Sequence, residues 1–206
     1  MTSLGDRCAE AVIVKYEELP ASAKPATGEY TVLAGIVAAN SFNNECHVLS
    51  LGTGTKCIGR DACAKDVSRY LLRDSHAEVI ARRGLQHFLL SQIKLFDYSS
   101  PENNRFLCLS SDDRFLFSLK PEWGLYLYVS ENPCGDASIY LTSSNTYTFT
   151  GAKLIVNGET TREPAEQVLG ALRIKSSRSD VEEAKRTLSM SCSDKISKWI
   201  CYGVTR

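Results

Sequence analysis

The sequence has no net charge of either sign. Its 24 basic side chains match 24 acidic ones, so no global field marks the chain for a polyanion or an acidic surface. It also lacks a long apolar run: the longest, VLAGIVAA at 32–39, falls far short of the roughly 20 residues a membrane helix needs. The first twenty residues lack the apolar stretch of a signal peptide, since Asp6, Arg7 and Glu10 stand where it should be. No internal repeat and no break in composition marks a second domain. These absences point away from membrane and secretion and toward an intracellular place, nucleus or cytoplasm.

What is present fits an ordinary globular fold. A chain of 206 residues with 43% hydrophobic and 23% charged side chains can bury one substantial core. The charge is uneven: residues 1–30 carry three basic and five acidic groups, and residues 171–206 carry eight basic and four acidic. A local basic excess is enough to steer a polyanion to one face. The eight cysteines, at 8, 46, 57, 63, 108, 134, 192 and 201, are expected in a reducing compartment. There most cysteines are small buried hydrophobes and a few bind metal or react.

Apolar spacing predicts a helix over 6–19 that stops at Pro20, and a long helix over 76–96 that Asp74 or Ser75 can cap. In the long helix Ala77, Ala81, Leu85, Leu89 and Ile93 recur every four residues. Strands are predicted over 30–39, 47–55, 114–119 and 125–130, a helix over 134–141 beginning at Cys134, and a last helix over 193–203. The polar stretches 142–165 and 175–189 read as loops. Strands interleaved with helices predict a layered α/β sheet.

Two segments carry chemistry. His76-Ala77-Glu78 opens the long helix, and Pro133-Cys134 is expected to open another. Helix N-termini favour thiolate over thiol, and imidazole and thiolate are both good zinc ligands. A catalytic zinc holds three protein ligands and keeps one position for water, and Glu78, off the metal, would shuttle the proton. Zinc-dependent nucleobase deaminases pair H-x-E with P-C-x-x-C, yet Ala137 stands where the second cysteine belongs. Cys192, in SMSCSDK just before the last helix, is the natural third ligand. Each piece alone has a plain alternative: H-x-E recurs by chance, and Pro-Cys-Gly is an acceptable turn without a metal.

GTGTKCIG (52–59), DSHAEVIARRG (74–84), NPCGDASI (132–139) and SMSCSDKISKW (189–199), in that order, resemble the adenosine-to-inosine RNA deaminase (editase) family. Within it the stretch from Asp74 to Arg83 looks closest to the tRNA-specific adenosine deaminases. The resemblance implies a cytidine-deaminase-like layered α/β sheet with helices on both faces. It also implies a lead-in at 1–29 before a deaminase domain at 30–206. It implies a hydrolase that converts adenosine to inosine beside the anticodon of alanine tRNA, with RNA rather than DNA or a membrane as partner. Double-stranded-RNA editing enzymes of the family carry further RNA-binding domains upstream, for which this chain has no room.

By position the resemblance implies zinc on His76, Cys134 and Cys192, with Glu78 as proton shuttle. Thr55 and Lys56 match a segment near the substrate nucleotide. Arg82, Arg83, Lys195 and Lys198 match contacts to a buried inositol hexakisphosphate, and Asp74 matches a carboxylate between that ligand and the zinc. Lys198 stands where the editing enzymes have arginine. The family domain continues past the last ligand, whereas this chain stops at Gly203-Val204-Thr205-Arg206. The chain is therefore expected to lack a C-terminal portion, to leave the four cations repelling one another in a dry core, and to be marginally stable and weakly active. The remaining alternatives are a deaminase of free cytidine, an inactive RNA-binding or interaction fragment, and a protein whose zinc is structural.

Overall fold

The computed structural model describes residues 2–68, 70–110, 116–148, 150–156, 159–161, 169–175, 182 and 185–205. The chain divides into two compact units, one of residues 1–53 with 80–130 and the other of 54–79 with 131–206.

The first unit is built on strand β1 (Leu33–Asn40), an eight-residue run whose first seven side chains are all buried. Burial on both faces is what a continuous Leu-Ala-Gly-Ile-Val-Ala-Ala run requires, and it makes β1 the middle of a three-stranded antiparallel sheet. Strand β2 (Cys46–Thr53) pairs on one side and a strand over Trp123–Val129 on the other. Helix α1 (Leu4–Glu17) starts in a capping box, in which Ser3 Oγ accepts from the Asp6 amide and the Asp6 carboxylate accepts from the Ser3 amide. It buries Cys8 and Val12 against Leu33, Val37 and Ala39. Position 35 has no room for a side chain, because a Cβ there would lie 2.5 Å from a Val12 methyl. A second apolar cluster of Ala38, Phe106 and Trp123 completes this unit.

The second unit contains strand β3 (Thr55–Cys57), helix α2 (Arg60–Lys65) and strand β4 (Asp74–His76), then the start of helix α3 (Ala77–Lys94). Strands β5 (Leu107–Leu109), β6 (Phe117–Leu119) and β7 (Trp123–Val129) belong to the first unit. The second unit resumes with β8 (Lys153–Val156), β9 (Glu159–Thr161) and β10 (Arg173–Ile174), paired in the order β10-β8-β9. It ends with helix α4 (Cys192–Tyr202), capped by Ser191.

The mixed α/β architecture expected from the sequence is the one observed. The predicted helices over 6–19, 76–96 and 193–203 and the strands over 30–39, 47–55 and 125–130 correspond to α1, α3, α4, β1, β2 and β7. Residues 114–115 of the 114–119 strand lie outside the described residues, and β6 occupies 117–119. The predicted cap at Asp74 or Ser75 is instead strand β4, hydrogen-bonded to β3. The stretch 142–165 is not all loop, since it holds β8 and β9. Much of the 175–189 loop lies outside the described residues. No described helix is long and apolar enough to cross a membrane.

The expected helix over 134–141 is absent. A three-residue 3-10 turn, Asp136–Ser138, takes its place. Gly135 breaks the helix with φ +105°, a conformation only glycine adopts without strain. A Cβ at 135 would also collide with Ser191 Oγ and sit 2.8 Å from Ser191 Cβ.

Candidate active site

The site lies within the second unit. Strands β3 and β4 pair in register Thr55↔His76, Lys56↔Ser75 and Cys57↔Asp74, which presents His76 at the end of β4, next to the first residue of α3. Glu78 follows on the first turn of α3 and is 3% exposed. Thr55 and Lys56 are exposed on β3.

The two cysteines flagged by the sequence meet. The Cys192 amide, the first N–H of α4, donates to Cys134 Sγ at 3.3 Å. Cys134 therefore has no helix of its own, and the dipole end that stabilises its thiolate is that of α4. The Cys134 pKa falls to about 6. The hydrogen bond from the Cys192 thiol is the first cause; burial opposes it, while the Cys192 amide, Lys175 and His76 assist. Cys192 moves the opposite way, held protonated by that same bond, by burial and by the charges of Cys134 and Glu78, against the pull of Lys175. The fields of His76 on Cys134 and of Glu78 on Cys192 place all four predicted residues in one electrostatic environment.

Beneath the thiols lies a network that sequence reading missed in part. Asp74, 6% exposed, accepts from the His76 amide at 3.0 Å, His76 Nδ1 at 3.0 Å and Ser189 Oγ at 2.8 Å. Its carboxylate also pairs with Lys175 Nζ at 2.9 Å and with Lys195 Nζ. Burial works to raise the Asp74 pKa, but the bonds from His76 and Lys195 and the charge of Lys175 outweigh it and hold the group far below the usual carboxylate range. A carboxylate only accepts, so His76 Nδ1 is the donor to Asp74. Lys175, 3% exposed, also donates to Cys192 Sγ at 3.0 Å. It links the carboxylate to the thiol pair.

Asp74→Ala leaves two ammonium groups without their carboxylate. It is expected to destabilise the protein by about 3–5 kcal/mol, the cost of removing one partner from a buried ion pair. Thermal melting checks this, and formate, which can refill the gap, is expected to raise the melting temperature of the variant but not of the wild type.

One compact donor set stands among the described residues, beside the set expected from the sequence. The ligand atoms of Cys57, Asp74 and His76 lie within 4.8 Å of one another. Yet Asp74 already serves two lysines, a serine and His76. His76, Cys134 and Cys192, the set expected from the sequence, offer an imidazole and two sulfurs, and imidazole and thiolate are the donors zinc prefers.

The cations expected around a polyphosphate are not alike. Lys195 is spent on Asp74 and on Ser189 Oγ at 2.8 Å. Lys198 and Arg83 are exposed, and Arg82 is half-buried with its pKa lowered first by burial and then by Arg83. Arg83 and Lys198 are therefore not desolvated as the dry-core expectation required, because both side chains reach water.

Comparison with known proteins adds a family. The model of the adenosine-deaminase (editase) domain matches residues 50–205. Similar curated proteins include tRNA-specific adenosine deaminase 1 of Drosophila melanogaster, 37% identical over 95% of this chain and 48% of its own. The tRNA-specific adenosine deaminase 1 of Saccharomyces cerevisiae is 30% identical over 94% and 51%. The double-stranded RNA-specific editase Adar of Drosophila melanogaster is 32% identical over 97% and 30%. The chain spans about half the length of the two tRNA-specific relatives and less of the editase.

Proposed function

The chain belongs to the adenosine-deaminase (editase) domain family, and from that premise we propose that it hydrolyses adenosine to inosine and ammonia in tRNA, beside the anticodon of alanine tRNA, inside the cell. The observation that carries this reading is the contact of Cys134 with the buried Cys192, whose amide donates to Cys134 Sγ, with the charges of His76 and Glu78 acting on the pair. The tRNA substrate is supported by the relatives named for it.

In this reading His76, Cys134 and Cys192 hold zinc. When bound, zinc supplies Lewis acidity and a nucleophilic water for attack on C6 of adenine. Glu78, buried at the helix start, carries one proton of the attacking water to the ring nitrogen and then the remaining hydroxyl proton to the departing amine, which leaves as ammonia. Asp74 holds His76 in one tautomer, and Lys175 offsets the negative charge of the thiol pair. Thr55 and Lys56, exposed on β3 opposite His76 and Ser75, contact the substrate nucleotide. The reading includes inositol hexakisphosphate on Arg82, Arg83, Lys195 and Lys198, supported by the family resemblance; Lys195 has already given two of its donors to Asp74 and Ser189. No chemical step runs through that ligand.

The test is to incubate the purified chain with alanine tRNA and with an RNA duplex, read inosine by sequencing, and measure bound zinc. Inosine beside the anticodon, with about one zinc per chain, is the expected result. Zinc without inosine on either RNA would favour a structural metal.

A further inference from the structure

Arg173 is 0% exposed, although a buried guanidinium is costly unless it is paired. Its Nε donates to Asp136 Oδ1 at 2.7 Å, and the other Asp136 oxygen accepts from the Gly170 amide at 2.6 Å. Asp136 stands two residues after Cys134. The backbone of Arg173 grips a different segment: its amide donates to Asp194 Oδ2 at 3.0 Å, and its carbonyl accepts from the Ser191 amide at 2.8 Å. Ser191 and Asp194 flank Cys192. One buried residue therefore holds the Cys134 turn by its side chain and the start of α4 by its main chain.

The two segments are also joined directly. The Ser193 amide donates to the Cys134 carbonyl at 3.0 Å, and Ser193 Oγ accepts from the Ala137 amide at 3.0 Å. Gly135, whose amide donates to Thr150 Oγ1 at 3.1 Å, leaves room for Ser191. Lys175, two residues after Arg173, reaches Cys192 Sγ at 3.0 Å. The two thiols thus sit in a frame in which, among the described ion pairs, the buried Arg173 and the half-buried Asp136 tie the Cys134 turn to β10.

We propose that Asp136 and Arg173 are positioning residues, which touch neither substrate nor metal and fix Cys134 against Cys192 in the geometry that metal binding requires. The proposal rests on the zinc-deaminase reading above. A guanidinium suits this task because its fork is planar and always charged, so it holds a carboxylate in direction as well as distance.

The experiment compares the wild type with Asp136→Asn, Arg173→Lys and the double variant. Zinc affinity is measured by competition with a chromophoric chelator, and the thiolate-to-metal absorption band is recorded after cobalt(II) is loaded in place of zinc. Asp136→Asn is expected to lower zinc affinity about 10- to 100-fold, the usual effect of losing a residue that orients a metal ligand, and to shift or weaken the cobalt band. Inosine formation is expected to fall in kcat with KM for tRNA unchanged. The double variant is expected to lose less than the sum of the two single losses, since the two side chains share one contact.

Val12→Ala, in the first unit's core, supplies the control: a comparable loss of melting temperature with zinc affinity and cobalt band unchanged. If Asp136→Asn does not fold, Arg173→Lys, which keeps the buried charge, decides. Folded variants with the wild-type affinity and cobalt band overturn the proposal. So does failure of both to fold, which makes the pair a plain fold requirement. A wild type that binds neither metal overturns the zinc reading and this proposal with it, a result visible before any variant is made.

Discussion

Glu78→Gln is expected to keep the fold and the metal and to lose inosine formation by about 10²–10⁴-fold, the range that a positioned proton carrier contributes. Glutamine has the shape of glutamate and can still donate or accept a hydrogen bond, so the start of α3 has no reason to rearrange. It cannot carry a proton between water and base. Glu78 is 3% exposed, so bulk buffer has poor access to stand in for it. The measurement is single-turnover inosine yield on tRNA, with zinc content and melting temperature recorded on the same preparations. If the wild type is active and Glu78→Gln stays within about threefold of it, the proton-carrier role is wrong. The pairing of readouts matters, because a drop in activity accompanied by loss of zinc would mean that Glu78 supports the site rather than the chemistry.

The chemistry of the site was more legible than its frame. His76-Ala77-Glu78 could be found because the motif coincides with the start of a helix whose Ala77, Ala81 and Leu85 recur every four residues and are all fully buried. Cys134 was singled out by the Pro-Cys of a deaminase-like motif, and Cys192 by its place at the start of the last helix. What surrounds Cys134 could not, since whether Pro-Cys-Gly-Asp continues as a helix depends on the φ of Gly135 and on what the Asp136 carboxylate meets. That partner, Arg173, is 37 residues away in sequence. Lys175 was less legible still. Arg173-Ile174-Lys175 alternates like a strand with a solvated face, and only the fold shows that both cations are buried. The carboxylate that makes Lys175 tolerable inside lies 101 residues earlier. Strands β3 and β4 span three residues each, too few for any periodicity to register.

Cys192→Ser is expected to empty the metal site, and the comparison with Cys57→Ser decides between the two donor sets. Zinc is bound by thiolate, and a serine hydroxyl neither deprotonates at neutral pH nor matches the softness of sulfur. Cys192 is fully buried at the first position of α4, with its amide on Cys134 Sγ and the Lys175 ammonium on its own sulfur. The substitution changes one atom and leaves that frame, so the fold is expected to survive while zinc falls from about one per chain to nearly none. Cys57 offers the contrast. Its thiol lies 3.4 Å from His76 Nδ1, close enough to bind a metal with His76 and Asp74, yet the Asp74 carboxylate is already taken by Lys175, Lys195, Ser189 and His76. Cys57→Ser is therefore expected to retain zinc. Exposed Cys201 provides the control for nonspecific thiol binding, and Cys201→Ser should match the wild type. Metal analysis of the four proteins after dialysis against a weak chelator gives the answer. If Cys57→Ser loses the ion and Cys192→Ser keeps it, then Cys57, Asp74 and His76 hold the metal. The Cys134–Cys192 pair would then serve some other purpose, and the zinc assignment to His76, Cys134 and Cys192 would fall.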